Sequence, residues 1–162
     1  MEIGATKAVQ DRLKTTKIEE SKGASLVFCW DTHLTKIKGR NVLFIVNASN
    51  RYTIAMTDIE PRNWNYYTMY IRSVIHGVMQ EMGYSEDQIG QYFKMSGDTT
   101  VTKTHGRKSV GGINRMVMDA QYFGKKLEKE AKYQWELSEY LNRDICQPEG
   151  FDAYGYPSEL LN

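Results

Sequence analysis

The stretch at residues 101–115 holds the residues best suited to bind an anion. Its sequence, VTKTHGRKSVGGINR, places three glycines and a histidine among four cations, Lys103, Arg107, Lys108 and Arg115. A glycine-bearing turn between a strand and a helix can point backbone N–H groups at a phosphate, and the cations would add charge. The spacing is neither that of a P-loop nor that of the dinucleotide-binding GxGxxG motif. Two interpretations stay open: a contact with phosphate or nucleic acid, and a strand-to-helix turn whose cations are solvated.

A second group of cations belongs to a predicted β-hairpin. Lys36, Lys38 and Arg40 lie at its tip, in the sequence KIKGR, and Arg51 lies at the following turn. Cations at a hairpin tip can grip phosphates across a groove, and they also keep the edge of a sheet soluble. If this tip and residues 101–115 faced the same side, they would form one surface for nucleic acid or for a protein partner.

The strongest candidate for acid–base catalysis is His105. Its cationic neighbours would lower the pKa of the imidazole and favour the neutral base. A metal-independent ribonuclease could use such a base to deprotonate a 2′-hydroxyl. No nucleophile lies in a recognisable elbow motif, and the carboxylates of residues 128–139 are spaced as on a solvated helix. The sequence therefore predicts no catalytic motif, no metal site and no cofactor.

The strands that would position the hairpin occupy the first third of the chain. Two apolar runs, ASLVFCW and VLFIV, are typical of buried strands, and the segments beside them alternate between apolar and polar residues. Short turns separate these segments, which predicts an antiparallel meander. The predicted strands cover residues 24–30, 32–37, 42–46 and 51–57.

Apart from a short helix before the strands, the predicted helices follow the meander, because from residue 67 onward the apolar residues recur every three or four positions. A segment rich in β-branched residues, 98–104, interrupts them and predicts one more strand. The predicted fold class is α+β, a small antiparallel β-meander packed against several helices. The predicted helices cover residues 7–14, 67–82, 85–95, 110–123 and 126–143.

Length, charge and cysteine content limit the classes of protein to which this chain can belong. The chain has 162 residues, which suits a single α+β domain over residues 1–162. Its net charge is +1, but residues 31–57 carry +3, residues 93–126 carry +5 and residues 127–162 carry −5. This distribution predicts a bipolar surface that docks a partner of mixed charge. Two cysteines without a metal or disulfide spacing fit a cytoplasmic protein, and no apolar run is long enough to span a membrane.

Two segments, FCWDTHLTKIKGRNVLFIVNASNRYTIAM and VTKTHGRKSVGGINRM, resemble a family of small bacterial proteins grouped as a domain of unknown function. The resemblance covers most of the chain in outline, and no motif in it names a reaction. In size and general character the chain is also similar to the anti-CRISPR inhibitors of type II RNA-guided nucleases, which phages and plasmids encode. The residues that fit the family pattern are Trp30, Asn47, Arg51, Tyr52, Thr102, Lys103, Thr104, Arg107, Asn114 and Arg115.

These resemblances imply a binding protein. The first hypothesis is an inhibitor, an anti-CRISPR that blocks a type II RNA-guided nuclease or its guide RNA, with the nuclease as its protein partner and RNA as a further contact. The alternatives are an enzyme that cleaves guide RNA, or a bacterial domain with an unknown partner. The predicted contact residues are Lys36, Lys38, Arg40, Arg51, Lys103, His105, Arg107, Lys108 and Arg115.

Overall fold

The computed structural model describes residues 1–15 and 18–160 and has a five-stranded sheet at its centre. Residues 16, 17, 161 and 162, which the single-domain prediction includes, lie outside the described residues. The strand order across the sheet is β4-β3-β2-β1-β5. The strands are β1 (Glu2–Ala5), β2 (Cys29–Ile37), β3 (Arg40–Asn47), β4 (Thr53–Thr57) and β5 (Thr100–Thr102).

Helices lie on both faces of this sheet, so the architecture is α+β, as the sequence predicts. No helix in the described ranges combines the length and the apolar character that a membrane crossing requires. The helices are α1 (Lys7–Leu13), α2 (Pro61–Asn65), α3 (Tyr67–Glu81), α4 (Glu86–Ser96), α5 (Arg107–Gln121), α6 (Trp135–Asn142) and α7 (Pro157–Leu160).

The predicted antiparallel meander is confirmed, but it forms only part of the sheet. β2, β3 and β4 pair antiparallel in chain order. β1 then pairs in parallel with both β2 and β5, so the N-terminal strand lies between two segments that are distant in sequence. This central position of β1 brings Glu2 beside Cys29 on one side and beside Thr100 on the other.

The sheet separates two hydrophobic cores. On one face Trp30, Ile45 and Ile54 pack against the buried side of α3. On the other face Phe44 and Ala55 pack against α5 and α6. Successive side chains of a strand point to opposite faces, so the continuous apolar run of β3 supplies both cores, as a strand covered on two sides requires.

Helix α6 covers the outer edge of β4. The backbone N–H of Ala55 donates to the Ser138 hydroxyl at 3.0 Å. The side-chain amide of Asn142 pairs with both backbone groups of Thr53, at 2.8 Å each. These contacts satisfy polar groups that an edge strand would otherwise leave open for another chain to pair with.

Replacing Ser138 by alanine tests this edge contact. The substitution leaves the buried Ala55 N–H without an acceptor, which costs about 1–3 kcal/mol of unfolding free energy. Ser73→Ala is the matched control, because its hydroxyl lies on the exposed side of α3 and its loss changes stability by less than about 0.5 kcal/mol. Urea denaturation of both variants measures the difference. Equal stabilities of the two variants would show that the Ser138 hydroxyl does not stabilise the edge of β4 by accepting the Ala55 N–H.

Two predicted segments differ most from the structure. The run at 24–30 is not a strand of its own: residues Leu26–Phe28 form one 3-10 turn, and a single strand then continues from Cys29 to Ile37. The predicted helix at 126–143 exists only over Trp135–Asn142. The Thr57 N–H donates to the Lys132 carbonyl and the Gln134 N–H to that of Ala55, so pairing with β4 overrides helix propensity there.

Candidate functional site

Residues 101–115 contribute His105 to a buried charge cluster, whose other members are Asp31 and Glu2. Between β5 and α5 the chain brings the imidazole of His105 between two carboxylates: Nδ1 lies 2.6 Å from Asp31 Oδ1, and Nε2 lies 2.9 Å from Glu2 Oε2. Asp31 belongs to β2 and Glu2 to β1. All three side chains are at most 5% exposed. The cluster therefore joins β1 and β2 to the turn that precedes α5.

The Asp31 carboxylate takes the place in which the sequence predicted an external anion. It accepts the backbone N–H of His105 at 3.1 Å and the hydroxyl of Ser109, in the first turn of α5. A negative charge at the N-terminus of a helix also interacts favourably with the helix dipole. The His105 N–H and the Ser109 hydroxyl are thus satisfied from within the protein, which favours the structural interpretation of this part of the turn over a phosphate contact.

Glycine at position 4 makes room for this carboxylate. A Cβ atom on Gly4 would lie 1.9 Å from Asp31 Oδ1 and 3.0 Å from the Thr104 Cα, far inside contact distance. Gly106, which precedes α5, has a φ of 92°, a conformation that favours glycine. Both glycines therefore allow the His105 segment to approach β1 and β2 closely.

The pKa of His105 is raised, whereas the sequence predicts that it is lowered. Burial alone would lower it, but the hydrogen bond and charge of Asp31, with further hydrogen bonds from Cys29 and Glu2, raise the pKa of His105 to about 10. Burial would raise the pKa of Glu2, yet hydrogen bonds from Ser21, His105 and the Lys22 N–H lower it. Buried carboxylates, not the cations adjacent in sequence, dominate the environment of the imidazole, so the prediction of a neutral base at neutral pH is wrong.

Arg107 and the hairpin tip lie at opposite ends of α5. Arg107 begins the helix. The hairpin tip lies beyond the other end, where Lys38 Nζ is 5.9 Å from the centre of the Phe123 ring and Gln121 donates to the Lys36 carbonyl. The helix has 15 residues and is therefore about 22 Å long. The two segments do not combine into one surface of the size of a phosphate contact.

Several predicted contact residues have partners inside the protein. Arg40 pairs with Asp58, and Lys103 pairs with Glu20. The guanidinium of Arg51 lies beneath α5, where a Cβ on Gly112 would be 2.5 Å from it. Arg107 and Lys36 are exposed, and within residues 1–15 and 18–160 neither has an ion-pair partner. These two remain the cations best placed for an external contact.

The positive and negative segments of the chain are interleaved rather than separated. The antiparallel packing of α5 on α6 brings Arg115 to 3.7 Å from Asp144 and Lys125 to 3.0 Å from Glu136. The Lys108 ammonium lies 3.9 Å from Glu149. Because these pairs join residues 93–126 to residues 127–162, the predicted bipolar surface is wrong.

A cleft lined by aromatic rings opens on the other face of the sheet. It has a volume of about 520 Å³ and lies between the ends of β2 and β3 and the helices α3 and α4. No charged side chain lines it within the described part of the chain. The rings that line it are Phe28, Trp30, Tyr52, Tyr84, Tyr92 and Phe151.

The floor of the cleft is held by hydrogen bonds within the protein. The Trp30 indole N–H donates to the Tyr92 hydroxyl at 2.8 Å, and this hydroxyl donates to the Val27 carbonyl at 2.8 Å. Asn47 donates to the same carbonyl and accepts the N–H groups of the following turn, including that of Ser49. These polar groups are therefore already occupied, and the floor presents mainly ring and aliphatic surface.

The C-terminal segment completes the wall of the cleft. The Gly150 N–H donates to the Ser49 carbonyl at 2.9 Å, and a Cβ on Gly150 would lie 2.8 Å from that oxygen. This close approach places Phe151 at the rim. The cleft has no continuous signal in the sequence, because its walls come from segments that are far apart in the chain; the one available signal is that Val27 and Phe28 extend an apolar run beyond the strand.

A protein family described as a domain of unknown function (DUF6933) matches residues 2–160. The chain belongs to this family. The match includes the charge cluster and the aromatic cleft, so both are parts of the family domain. No curated protein and no solved structure matches the chain. The description of DUF6933 names no activity, and the function therefore has to be argued from the site.

Proposed function

We propose that the protein is a binding protein whose aromatic cleft takes a neutral, largely apolar small molecule with a flat ring. The observation that carries this proposal is a cleft of about 520 Å³ lined by six aromatic rings and no charged side chain of the described chain. This volume lies within the range of small-molecule sites, which are typically concave and mostly apolar with a few polar groups.

The lining decides the class of ligand. A charged ligand would lose its hydration without gaining an opposite charge, which is costly. A flat apolar ligand binds favourably for two reasons: it buries apolar surface, and it can stack on rings such as Trp30 and Tyr92. The exposed amide of Gln91 lines the cleft and makes no hydrogen bond within the described residues, so it is available for one polar group of the ligand.

The narrower hypothesis, that the partner is a type II RNA-guided nuclease, stays a prediction. Neither the fold nor the family bears on it. The structure weakens one of its premises, since His105 is buried and Arg107 lies at the end of α5 opposite to the hairpin tip. Arg107, Lys36 and Lys38 are exposed cations that a protein or RNA partner would meet.

Blocking the mouth of the cleft tests the proposed function. Val27 lines the cleft and is 40% exposed, so Val27→Trp adds a bulky ring at the entrance without disturbing a packed core. We expect this variant to bind the neutral dye Nile red at least about tenfold more weakly than the wild type, a loss of about 1.4 kcal/mol. A fluorescence titration of the dye measures both affinities.

Met118→Trp is the matched control. Met118 is 64% exposed on α5 and does not line the cleft, so this variant adds the same ring elsewhere and should bind the dye as the wild type does. The anionic dye anilinonaphthalene sulfonate should bind more weakly than Nile red, because the lining offers no positive charge. Equal Nile red affinity in the two variants would place dye binding outside the cleft and refute the proposal.

A further inference from the structure

The buried cluster contains a set of metal-ligand atoms that the sequence does not reveal. Glu2, Cys29 and His105 each offer one ligand atom, and these atoms lie within 4.8 Å of one another. They come from β1, from β2 and from the turn before α5, and Cys29 is completely buried. A carboxylate, a thiol and an imidazole together form a ligand set that suits Zn²⁺.

We propose that Glu2, Cys29 and His105 bind one zinc ion, with the fourth position of the tetrahedron open to water. Zinc sites of this type have three protein ligands and bond lengths of about 2.0–2.3 Å. Glu2 Oε2 and His105 Nε2 are already 2.9 Å apart. The ligand atoms of a tetrahedral zinc are about 3.3–3.6 Å apart, and the three atoms here lie within 4.8 Å of one another, so small side-chain movements would complete the site.

In such a site Asp31 would not bind the metal but would orient the histidine that does. A histidine that binds a metal commonly donates its second ring N–H to a carboxylate, which fixes the ring orientation. Asp31 holds His105 Nδ1 at 2.6 Å, so that Nε2 points toward Glu2. The Glu2 carboxylate is oriented in turn by the Ser21 hydroxyl at 2.6 Å and the Lys22 N–H at 2.8 Å.

The charge of the cluster is compatible with a bound metal. Zn²⁺ binds the neutral imidazole and the thiolate, and the buried carboxylates of Glu2 and Asp31 lie against His105, where they would balance the charge of the metal. The irregular segment that carries Ser21 and Lys22, both exposed, contacts the Glu2 carboxylate of the cluster.

This inference is independent of the proposed function. Trp30, in the aromatic cleft, and Asp31, in the cluster, are consecutive residues of β2 and therefore point to opposite faces of the sheet. A ligand in the cleft does not reach the cluster, and a metal in the cluster does not fill the cleft.

A cobalt titration of metal-free, reduced protein tests the zinc site. Co²⁺ substitutes for Zn²⁺ and gives a thiolate-to-metal charge-transfer band only where a cysteine binds it. We expect this band to saturate at one ion per chain, in wild-type protein and in Cys146→Ala, and to disappear on addition of zinc. Cys146 is the second buried cysteine and contributes no ligand atom to the trio. Cys29→Ala should remove the band.

Absence of the charge-transfer band in both wild type and Cys146→Ala would overturn the proposal. So would a band that persists in folded Cys29→Ala.

Discussion

Asp31→Asn should destabilise the protein by about 3–5 kcal/mol, because it removes one partner of a buried ion pair and leaves the other charged. The asparagine side chain has nearly the same shape, so a cavity does not explain the loss. Its amide group carries donors where Asp31 now accepts from the His105 N–H, the His105 ring and the Ser109 hydroxyl. At least one of these three contacts must therefore place a donor against a donor.

Urea denaturation in the presence of a chelator measures the effect of Asp31→Asn in metal-free protein. Asp11→Asn is the matched control: its carboxylate is 61% exposed and pairs with Lys7 on the surface of α1, so its loss costs less than about 1 kcal/mol. Small proteins are stable by only about 5–15 kcal/mol, so the Asp31 variant should unfold at clearly lower urea. A loss below 1 kcal/mol would mean that Asp31 does not hold His105 in its charged form.

The parts of the fold that follow local periodicity were predictable from the sequence. The helix with apolar residues from Tyr67 to Met82 and the helix that Ser85 caps both occur within one or two residues of their predicted ends. Period-two alternation placed β4 correctly. In these segments the amphipathic pattern and the tertiary environment favour the same structure, which is the condition under which local prediction works.

The remaining parts depend on contacts between residues that are far apart in sequence. β1 is only four residues long and is stabilised by strands that begin at residues 29 and 100, so its own sequence carries little signal. Residues 126–134 have the composition of a helix, yet the backbone of Lys132 and Gln134 forms hydrogen bonds with the edge of β4 instead. Propensity is a weak prior that such tertiary hydrogen bonds override.

The candidate site illustrates the same limit for electrostatics. Cations adjacent to His105 in sequence predict a lowered pKa, but side chains at positions 2 and 31 determine it. Likewise, the cations of residues 93–126 meet acids from residues 127–162. Net charge along a sequence therefore predicts neither the potential at a buried group nor the charge of a folded surface, because both depend on which elements pack together.

The stability of the metal-free protein should decrease as the pH rises from 6.5 to 9, because folding raises the pKa of His105. The unfolded imidazole has a pKa of about 6.5, and the folded one about 10. Below pH 6.5 both states are protonated, so the contribution of His105 is fully present. Between these pKa values only the folded state keeps its proton, and each pH unit removes at most about 1.4 kcal/mol.

A comparison with His105→Gln isolates this contribution from other titrating groups. Asp31, Glu2 and Cys29 face the imidazole in wild-type protein, and they remain in the variant, which lacks only the titrating ring. We expect the wild type to lose roughly 2–3 kcal/mol more than the variant between pH 6.5 and pH 9, measured by urea denaturation with chelator present. Parallel profiles for the two proteins would mean that His105 is not an imidazolium in the folded state, and the charge cluster would then lose the interaction that joins β1, β2 and the start of α5.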